Sequence, residues 1–366
     1  MKMTKQLFGM SIFVAILAGL TWLSTDVYIV ALHIGPYGAG IIHTATIAFW
    51  VFFIFSFFSG EIISGAHIRF IYRMCNILFG VMFYLFLGSV ILSVLLVLVP
   101  TLSPFVAIAV IALSFALSII GLIQARALTT TTYTVTLPNA PESWENKKAV
   151  FLSDTHFGLM NYKKFSDKIV DRILSLKPDL VLHGGDFYDG PTINTTPITE
   201  SWKMLTEKIP VFYTSGNHEH YGPYETFITS IRDAGVTVLL DEKVIHEGVQ
   251  IAGITYRAKG RDAEAQKAFD LISAETGVPL ILINHPPTFH KGASSAGGTL
   301  MLSGHTHRGQ FSPIGLLTRL IYKRFNYGFN TFENMTAITS RGVGTAGPPM
   351  RLFNSPELVI INFVTR

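Results

Sequence analysis

Apolar residues dominate the first third of the chain, where they form four long runs. The runs cover residues 7–23, 41–58, 77–99 and 105–123. Each run is close to the ~20 residues that a helix needs to cross the core of a bilayer. A buried helix of a soluble protein would show an apolar stripe and a polar face, whereas these runs are apolar on all sides. The pattern therefore predicts a bundle of four transmembrane helices within residues 1–126.

Basic residues near these runs predict how the protein is oriented in the membrane. Lys2 and Lys5 precede the first run, Arg69 and Arg73 lie between the second and third, and Arg126 follows the fourth. The two remaining connections contain no Lys or Arg. Cytoplasmic loops carry the excess of Lys and Arg in membrane proteins. We therefore expect a multi-pass protein of the cell (inner) membrane whose C-terminal part is cytoplasmic.

The composition agrees with this division and narrows the range of partners. Hydrophobic residues make up 49% of the 366 residues and charged residues 14%, which is too apolar for a wholly soluble protein. Only six charged residues precede Gln124, and the rest of the chain has nearly equal numbers of acids and bases. The net charge of +4 therefore predicts no nucleic-acid partner. Because Cys75 is the only cysteine, a metal site must consist of His, Asp and Asn.

Residues 127–366 show an alternation of strands and helices that predicts an α/β domain. A threonine-rich stretch, 129–136, has the β-branched residues of an edge strand. Helical patterns, such as those at 162–176 and 262–274, separate the later strands. Such an alternation implies sheets covered by helices, here two sheets packed face to face. The later strands are predicted at 149–153, 180–183, 211–214, 236–240, 249–254, 280–284, 299–302, 336–339 and 358–363.

Five short clusters of polar residues each follow one of these strands directly. The ends of strands are where open α/β sheets collect ligand groups, so the clusters can meet at one edge. They combine carboxylate and amide oxygens with imidazoles, a donor set that suits Mn²⁺, Fe or Zn²⁺ better than Ca²⁺. Each cluster alone is a weak signal, but together they predict a metal site. The clusters are SDTHFG at 153–158, GGD at 184–186, SGNHE at 215–219, NHPP at 284–287 and SGHTHRGQ at 303–310.

The order D-x-H, G-D, G-N-H-E, a lone H and G-H-x-H resembles the pattern of the calcineurin-like metallophosphoesterases. The resemblance covers roughly residue 132 to the end. The tail at 340–358, SRGVGTAGPPMRLFNSPEL, resembles bacterial membrane-anchored phosphodiesterases similar to UDP-2,3-diacylglucosamine pyrophosphatase. The resemblance implies a four-layer αββα sandwich after the transmembrane helices. It also implies two divalent metal ions as cofactors, Mn²⁺ first, with Fe, Zn²⁺ and Mg²⁺ as alternatives.

The resemblance further implies a role for each matching residue. The first metal ion would be held by Asp154, His156 and His307. The second would be held by Asn217, His285 and His305. The carboxylate of Asp186 would bridge both ions and so fix a hydroxide that attacks phosphorus. His218 would protonate the leaving oxygen, and Glu219 is expected to orient His218.

Two departures from the family pattern affect the expected substrate contacts. The segment 185–190 reads GDFYDG where the family often has GDxxDR, so the usual Arg is missing. Arg308 stands where a small residue is common. It either supplies a cation that binds the phosphate of the substrate or faces the solvent, and the sequence leaves both readings open.

The segment 314–325, IGLLTRLIYKRF, combines a helical apolar stripe with Arg319, Lys323 and Arg324. A basic amphipathic helix can lie in the headgroup region of a membrane. The preferred interpretation is instead an ordinary helix that closes the domain.

These observations lead to one principal hypothesis about function and two alternatives. The principal hypothesis is hydrolysis of a phosphodiester or pyrophosphate bond in a lipid-linked or nucleotide-sugar substrate. The same metal centre could support a phosphomonoesterase or a phosphoprotein phosphatase. A non-catalytic membrane sensor or scaffold is the third possibility, although such a protein could dispense with its ligands. The sequence makes no prediction about oligomeric state.

Overall fold

The computed structural model describes residues 2–62, 65–190 and 193–365, and for 2–13 and 57–62 it describes only the helical path. Contacts divide the chain into two compact units. The first comprises Met1–Leu122 with Pro348–Met350, and the second comprises Ile123–Gly347 with Arg351–Arg366. The sequence-based boundary between residues 126 and 127 stays a prediction.

Four long helices form the first unit and confirm the four predicted transmembrane segments. They are α1 (Lys2–Ala31), α2 (Pro36–Ile62), α3 (Ala66–Leu98) and α4 (Pro104–Gln124). Each is long and apolar enough to cross a membrane. Proline is the first residue of α2 and of α4, where the N–H that it lacks would have no partner within the helix. Residues 7–13 and 57–58 of the predicted runs lie outside the residues whose side chains are described.

Small and hydroxyl-bearing residues join the helices of this unit. The hydroxyl of Tyr28 in α1 donates to the carbonyl oxygen of Leu85 in α3 at 2.8 Å. Ser114 in α4 likewise donates to the carbonyl oxygen of Tyr84 at 3.2 Å. An added Cβ at Gly88 would meet the Tyr28 hydroxyl at 2.7 Å. Small residues and interhelical hydrogen bonds are the usual means of packing helices inside a membrane.

Two six-stranded mixed sheets form the centre of the second unit. One has the order β1-β12-β2-β3-β4-β5, and the other has the order β10-β11-β9-β8-β7-β6. In the first sheet β2 to β5 are parallel, and in the second β7, β8, β9 and β11 are parallel. The strands are β1 (Thr129–Thr136), β2 (Lys148–Leu152), β3 (Leu180–His183), β4 (Val211–Tyr213), β5 (Thr237–Val238), β6 (Glu242–His246), β7 (Val249–Ile254), β8 (Leu280–Asn284), β9 (Gly298–Ser303), β10 (Gly328–Phe332), β11 (Met335–Thr339) and β12 (Glu357–Val364).

The two sheets pack face to face, and helices cover their outer faces. Phe151 of β2 and Ile283 of β8 belong to one buried apolar cluster that lies between the sheets. Phe269 packs on the outer face of the second sheet, and the Trp202 ring lies 5.7 Å from the ring of His183 in β3. The predicted αββα sandwich is confirmed. Its helices are α5 (Lys163–Leu176), α6 (Thr196–Thr206), α7 (Asn217–Tyr221), α8 (Tyr224–Asp233), α9 (Asp262–Leu271), α10 (His290–Ser295) and α11 (Ile314–Tyr322).

Two strands at sheet edges were not predicted from the sequence. Strand β6 forms one edge of the second sheet, and β10 forms the other. The first begins with Glu242 and Lys243, and the second contains Gly328 and Asn330, residue types that are rare in central strands. Edge strands carry polar and charged residues, which prevent them from pairing with other chains. The apolar alternation that identifies inner strands is therefore weak in β6 and β10.

Helix α11 corrects the preferred interpretation of residues 314–325. None of its nine residues, all of which the structure describes, is buried. Leu316 is 66% exposed and Leu320 is 76% exposed. A helix that closes a domain would bury its apolar stripe against the core. The interpretation as an ordinary closing helix is therefore wrong.

Candidate metal centre

The five polar clusters lie together at one edge of the sandwich. Each follows the C-terminal end of β2, β3, β4, β8 or β9, and these ends meet because the strands are parallel neighbours within each sheet. Backbone hydrogen bonds connect the clusters: Asp154 N–H donates to Gly185 O at 2.9 Å, and Gly304 N–H donates to His285 O at 2.9 Å. The structure thus brings all seven candidate ligands to one place.

Six of these candidate ligands form two of the three groups among the described residues that could hold a metal ion, and the third group is His156, Asp189 and His218. Asp154, His156 and His307 form one group, and Asp186, His285 and His305 form the other. Within each group the potential ligand atoms lie within 4.8 Å of one another. In the first group, the Nε2 atoms of His156 and His307 are 2.9 Å apart.

Asp186 lies between the two groups. Its Oδ2 atom is 3.0 Å from Nε2 of His285 in one group and 3.9 Å from Nε2 of His156 in the other. A single carboxylate oxygen therefore faces both groups. This is the arrangement expected of a carboxylate that bridges two metal ions.

Asn217 completes the second group. Its Oδ1 atom is 2.8 Å from Nδ1 of His305 and 3.1 Å from Nε2 of His285. Nδ1 of His285 donates to the carbonyl oxygen of Gly184 at 2.7 Å, so the neutral ring presents the lone pair of Nε2 to Asn217 and Asp186. Lone pairs of the imidazole nitrogens, the amide oxygen and the carboxylate oxygen converge on one point. This arrangement favours a cation there.

The charges within the site are consistent with a cation between these atoms. Without one, burial lowers the pKa of His285 but the Asp186 carboxylate raises it more, to about 9. A proton then lies between the imidazole of His285 and the carboxylate of Asp186. Burial, together with His285, lowers the pKa of His305 to about 4, so that this ring is neutral and can act as a ligand. The residues present therefore fit a pair of divalent ions.

Comparison with known proteins indicates the family to which this chain belongs. The family profile described as Calcineurin-like phosphoesterase matches residues 147–309, a range that contains all seven candidate ligands. An uncharacterized metallophosphoesterase of Aquifex aeolicus is 31% identical over 240 residues, which cover 63% of this chain and 89% of that protein. The chain belongs to the calcineurin-like phosphoesterase family.

Two further relatives of this phosphoesterase carry more specific names. A "Transmembrane protein with metallophosphoesterase domain" of Danio rerio is 27% identical over 238 residues, covering 60% of this chain and 54% of that protein. "Phosphodiesterase YaeI" of Escherichia coli is 28% identical over 233 residues, covering 59% of this chain and 82% of that protein. The chain spans about 60% of the length of the first curated relatives that it matches.

The backbone is strained at the candidate ligands themselves. Five of the seven candidate ligands have left-handed φ angles between 46° and 69°. A non-glycine residue in this region costs on the order of 1–3 kcal/mol, and such residues cluster at functional sites. The sharp turns after the strands aim these side chains inwards. The five residues are Asp154, His156, Asp186, His305 and His307.

Gly185 is the position where the turn cannot accept a side chain. Its φ is +88°, and an added Cβ would lie 2.7 Å from the backbone nitrogen of Gly216 and 2.8 Å from Nδ1 of His285. The absence of a side chain therefore allows three of the ligand loops to approach one another.

His218 lies beside the first group, with its ring centre 4.6 Å from that of His156. Its Nδ1 atom is 2.6 Å from Oδ1 of Asp189. Burial lowers the pKa of His218, but the carboxylates of Asp189 and Asp186 raise it to about 10. His218 is therefore protonated near neutral pH and can supply a proton from Nε2.

The partner of His218 is not the residue expected from the sequence. Among the described residues no hydrogen bond joins Glu219 to His218. Glu219 instead accepts backbone N–H groups of Gly216 at 2.7 Å, Tyr188 at 2.9 Å and Asp186 at 3.1 Å. Asp189 takes the orienting position. The sequence carries this signal, because Asp189 is the second acid of the segment GDFYDG and matches the second Asp of the family's GDxxDR.

Two arginines complete the surroundings of the site. Arg308 is exposed, and its guanidinium lies 4.7 Å from the centre of the Tyr327 ring. Its role in binding phosphate stays a prediction. Arg351 is fully buried: its Nη2 atom lies 3.1 Å from Nδ1 of His307 and donates to the carbonyl oxygen of Gly344. Arg351 lies in the tail at 340–358, and the resemblance of that tail implied no role for this residue.

Proposed function

We propose that this phosphoesterase hydrolyses a phosphodiester or pyrophosphate bond with the help of two divalent metal ions. The proposal rests on one observation, namely that Oδ2 of Asp186 faces both ligand groups at 3.0 and 3.9 Å. Asp154, His156 and His307 would hold one ion, and Asn217, His285 and His305 the other. Mn²⁺ is our first expectation for this mixture of oxygen and imidazole ligands, with Fe, Zn²⁺ and Mg²⁺ as alternatives.

The chain's own residues have distinct tasks in this reaction. When bound, the ions would lower the pKa of a water molecule that acts as the nucleophile and would offset charge on the phosphoryl oxygens. Asp186 keeps the two ligand groups together. His218, held through Nδ1 by Asp189, donates the proton on Nε2 to the leaving oxygen. Glu219 fixes the backbone of the two loops that carry Asp186 and Asn217.

The membrane helices and the names of relatives support the proposed substrate class. The relative named as a phosphodiesterase supports a diester or pyrophosphate rather than a monoester. Four helices long and apolar enough to cross a membrane support a lipid-linked or nucleotide-sugar substrate that is used at the membrane. The distribution of Lys and Arg around those helices supports an inner-membrane protein with a cytoplasmic catalytic domain.

The test uses the full-length protein in lipid nanodiscs, loaded with Mn²⁺. Hydrolysis of a chromogenic phosphodiester is measured beside the matching monoester, and bound metal is quantified by mass spectrometry. Asp186→Asn should lose metal and activity together, whereas Asp171→Asn, which changes an exposed acid on α5, should retain both. His218→Ala should keep its metal and lose about 10²–10⁴-fold in rate on a diester with a poor leaving group.

Each alternative function predicts a different result in this assay. Faster hydrolysis of the monoester would indicate a phosphomonoesterase or a phosphoprotein phosphatase. Two bound metal ions without turnover of either ester or of a pyrophosphate would indicate a sensor or scaffold. Diester hydrolysis that survives Asp186→Asn would refute the proposed role of the bridging carboxylate.

A further inference from the structure

Helix α11 presents its apolar residues away from the protein. Leu316, Leu317, Leu320 and Ile321 are between 42% and 76% exposed. At 100° per residue these four side chains occupy one continuous arc of the helix, which we call the leucine face. In a helix of a soluble domain this arc would lie against the core.

The opposite side of α11 carries small and polar residues, and this side packs against the loops of the candidate metal centre. An added Cβ at Gly315 would lie 2.9 Å from the carbonyl oxygen of Arg308, so α11 packs directly on the loop after His307. At the other end of the helix, the ring of Tyr322 lies 6.0 Å from that of His305. The leucine face is therefore held in a fixed position one helix diameter, about 10 Å, from the ligand loop.

Positive charge borders the leucine face. Arg319 and Lys323 are exposed, and within the described part of the chain neither forms an ion pair with an acidic residue. A groove of about 590 Å³ begins at the end of α11, and its lining includes Lys259, Lys323 and Arg324 but only one acid, Asp262. Exposed leucines bordered by basic residues are complementary to a lipid bilayer, which has an apolar interior and anionic headgroups.

We propose that α11 docks on an anionic phospholipid bilayer, with the leucine face among the upper acyl chains and the bases at the headgroups. The same chain carries four helices long and apolar enough to cross a membrane, so a bilayer is always within reach of this domain. Docking brings the ligand loop to the headgroup level, where the phosphate of a membrane lipid lies. The inference concerns membrane contact and stands whether or not the proposed hydrolysis is correct.

The single cysteine allows a direct measurement of depth in the full-length protein. Cys75, which is buried, is replaced by alanine, and a nitroxide label is placed at Leu320→Cys. The matched control is Leu271→Cys on α9, which is 71% exposed and lies outside the leucine face. Both proteins are placed in nanodiscs that contain anionic lipid. Accessibility of each label to oxygen and to a water-soluble nickel chelate then gives its depth.

Docking predicts that the label at Leu320 lies about 5–10 Å below the headgroup boundary, accessible to oxygen and protected from nickel. The control label should remain fully accessible to nickel. Replacing Arg319 and Lys323 together by glutamine should make the label at Leu320 shallower in anionic nanodiscs. Equal nickel accessibility at the two labelled positions would overturn the proposal.

Two further outcomes would also overturn it. Spin–spin broadening at the Leu320 label would show that a second copy of the chain covers the leucine face. Protection from both nickel and oxygen, without broadening, would show that protein rather than lipid covers it. An unchanged depth after the double glutamine replacement would refute the contribution of the bases.

Discussion

Replacement of Asp189 by asparagine is expected to change the pH dependence of catalysis while retaining all seven candidate metal ligands, one of which, His156, has its Nδ1 atom 3.5 Å from Oδ2 of Asp189. In the native protein Asp189 is 2.6 Å from Nδ1 of His218, and its carboxylate is the main influence that raises the pKa of this histidine to about 10 against the effect of burial. Asparagine has nearly the same shape but no charge. The proton on His218 is then held less tightly.

The direction of the effect follows from the role of His218 as an acid. The acid form is required, so activity falls as the pH rises past the pKa of His218. Loss of one opposite charge at hydrogen-bond distance lowers such a pKa by roughly 1–3 units. Bound metal ions lower the pKa of His218 in both proteins, so the prediction concerns the difference between them. The alkaline limb of the Asp189→Asn profile should move about 1–3 pH units towards lower pH.

The assay is a profile of kcat/KM against pH on two aryl phosphodiesters at saturating Mn²⁺. A diester with a weakly acidic leaving phenol needs protonation more than one with p-nitrophenol, so the fall in rate along the alkaline limb should be larger for the former, whereas the pH at which the limb begins should be the same for both. Glu219→Gln is the matched control, because Glu219 accepts backbone N–H groups and no hydrogen bond joins it to His218 among the described residues. That variant should lower the rate and move the limb less than Asp189→Asn does, because the Glu219 carboxylate raises the pKa of His218 less than the Asp189 carboxylate does. A limb that stays in place in Asp189→Asn, or moves only in Glu219→Gln, would refute the assignment.

Three further predictions concern the metal centre. Asp186→Asn should weaken the binding of both ions, measured by metal titration, by more than the roughly 10–100-fold typical of residues that only support a ligand. Gly185→Ala should lower the free energy of unfolding by more than Gly260→Ala. Both glycines have φ near +90°, but a Cβ at Gly260 would meet no atom of the described chain within 4 Å. Equal unfolding temperatures of the two variants would contradict this prediction. Chelation of the metal ions should lower the unfolding temperature of the native protein, because an ion at 100 times its dissociation constant stabilises the folded state by about 2.7 kcal/mol. Chelation should leave the unfolding temperature of Asp186→Asn almost unchanged.

The candidate ligands were predictable because their positions depend on a local rule. Asp154, Asp186 and His285 each follow an apolar strand within two or three residues, and the ends of parallel strands meet at one edge. The strands themselves had a strong apolar signal, since they lie in the middle of two covered sheets. A different local signal, the run of β-branched threonines, predicted the edge strand β1 with its correct bounds.

The features that sequence reasoning missed depend on long-range geometry. Asp189 and Glu219 are both acids close to His218 in the site, and only the path of the loop decides which one contacts its ring. For α11, an amphipathic stripe predicts which side chains share a face but not whether that face points inwards. Here Gly315 determines which face of α11 points inwards, because its small size lets the polar side of the helix approach the ligand loop closely.

The arrangement of ligands on both sheets has a consequence for the stability of the domain. Asp154 and Asp186 follow strands of one sheet, whereas His285 and His307 follow strands of the other. An ion held by Asp154 and His307, or by Asp186 and His285, would therefore connect the two halves of the sandwich at the edge where the apolar core ends. The left-handed φ angles at these candidate ligands cost free energy whether or not an ion is present. Metal binding would offset that cost only when both sheets are in register, so the intact sandwich and the loaded centre would stabilise each other.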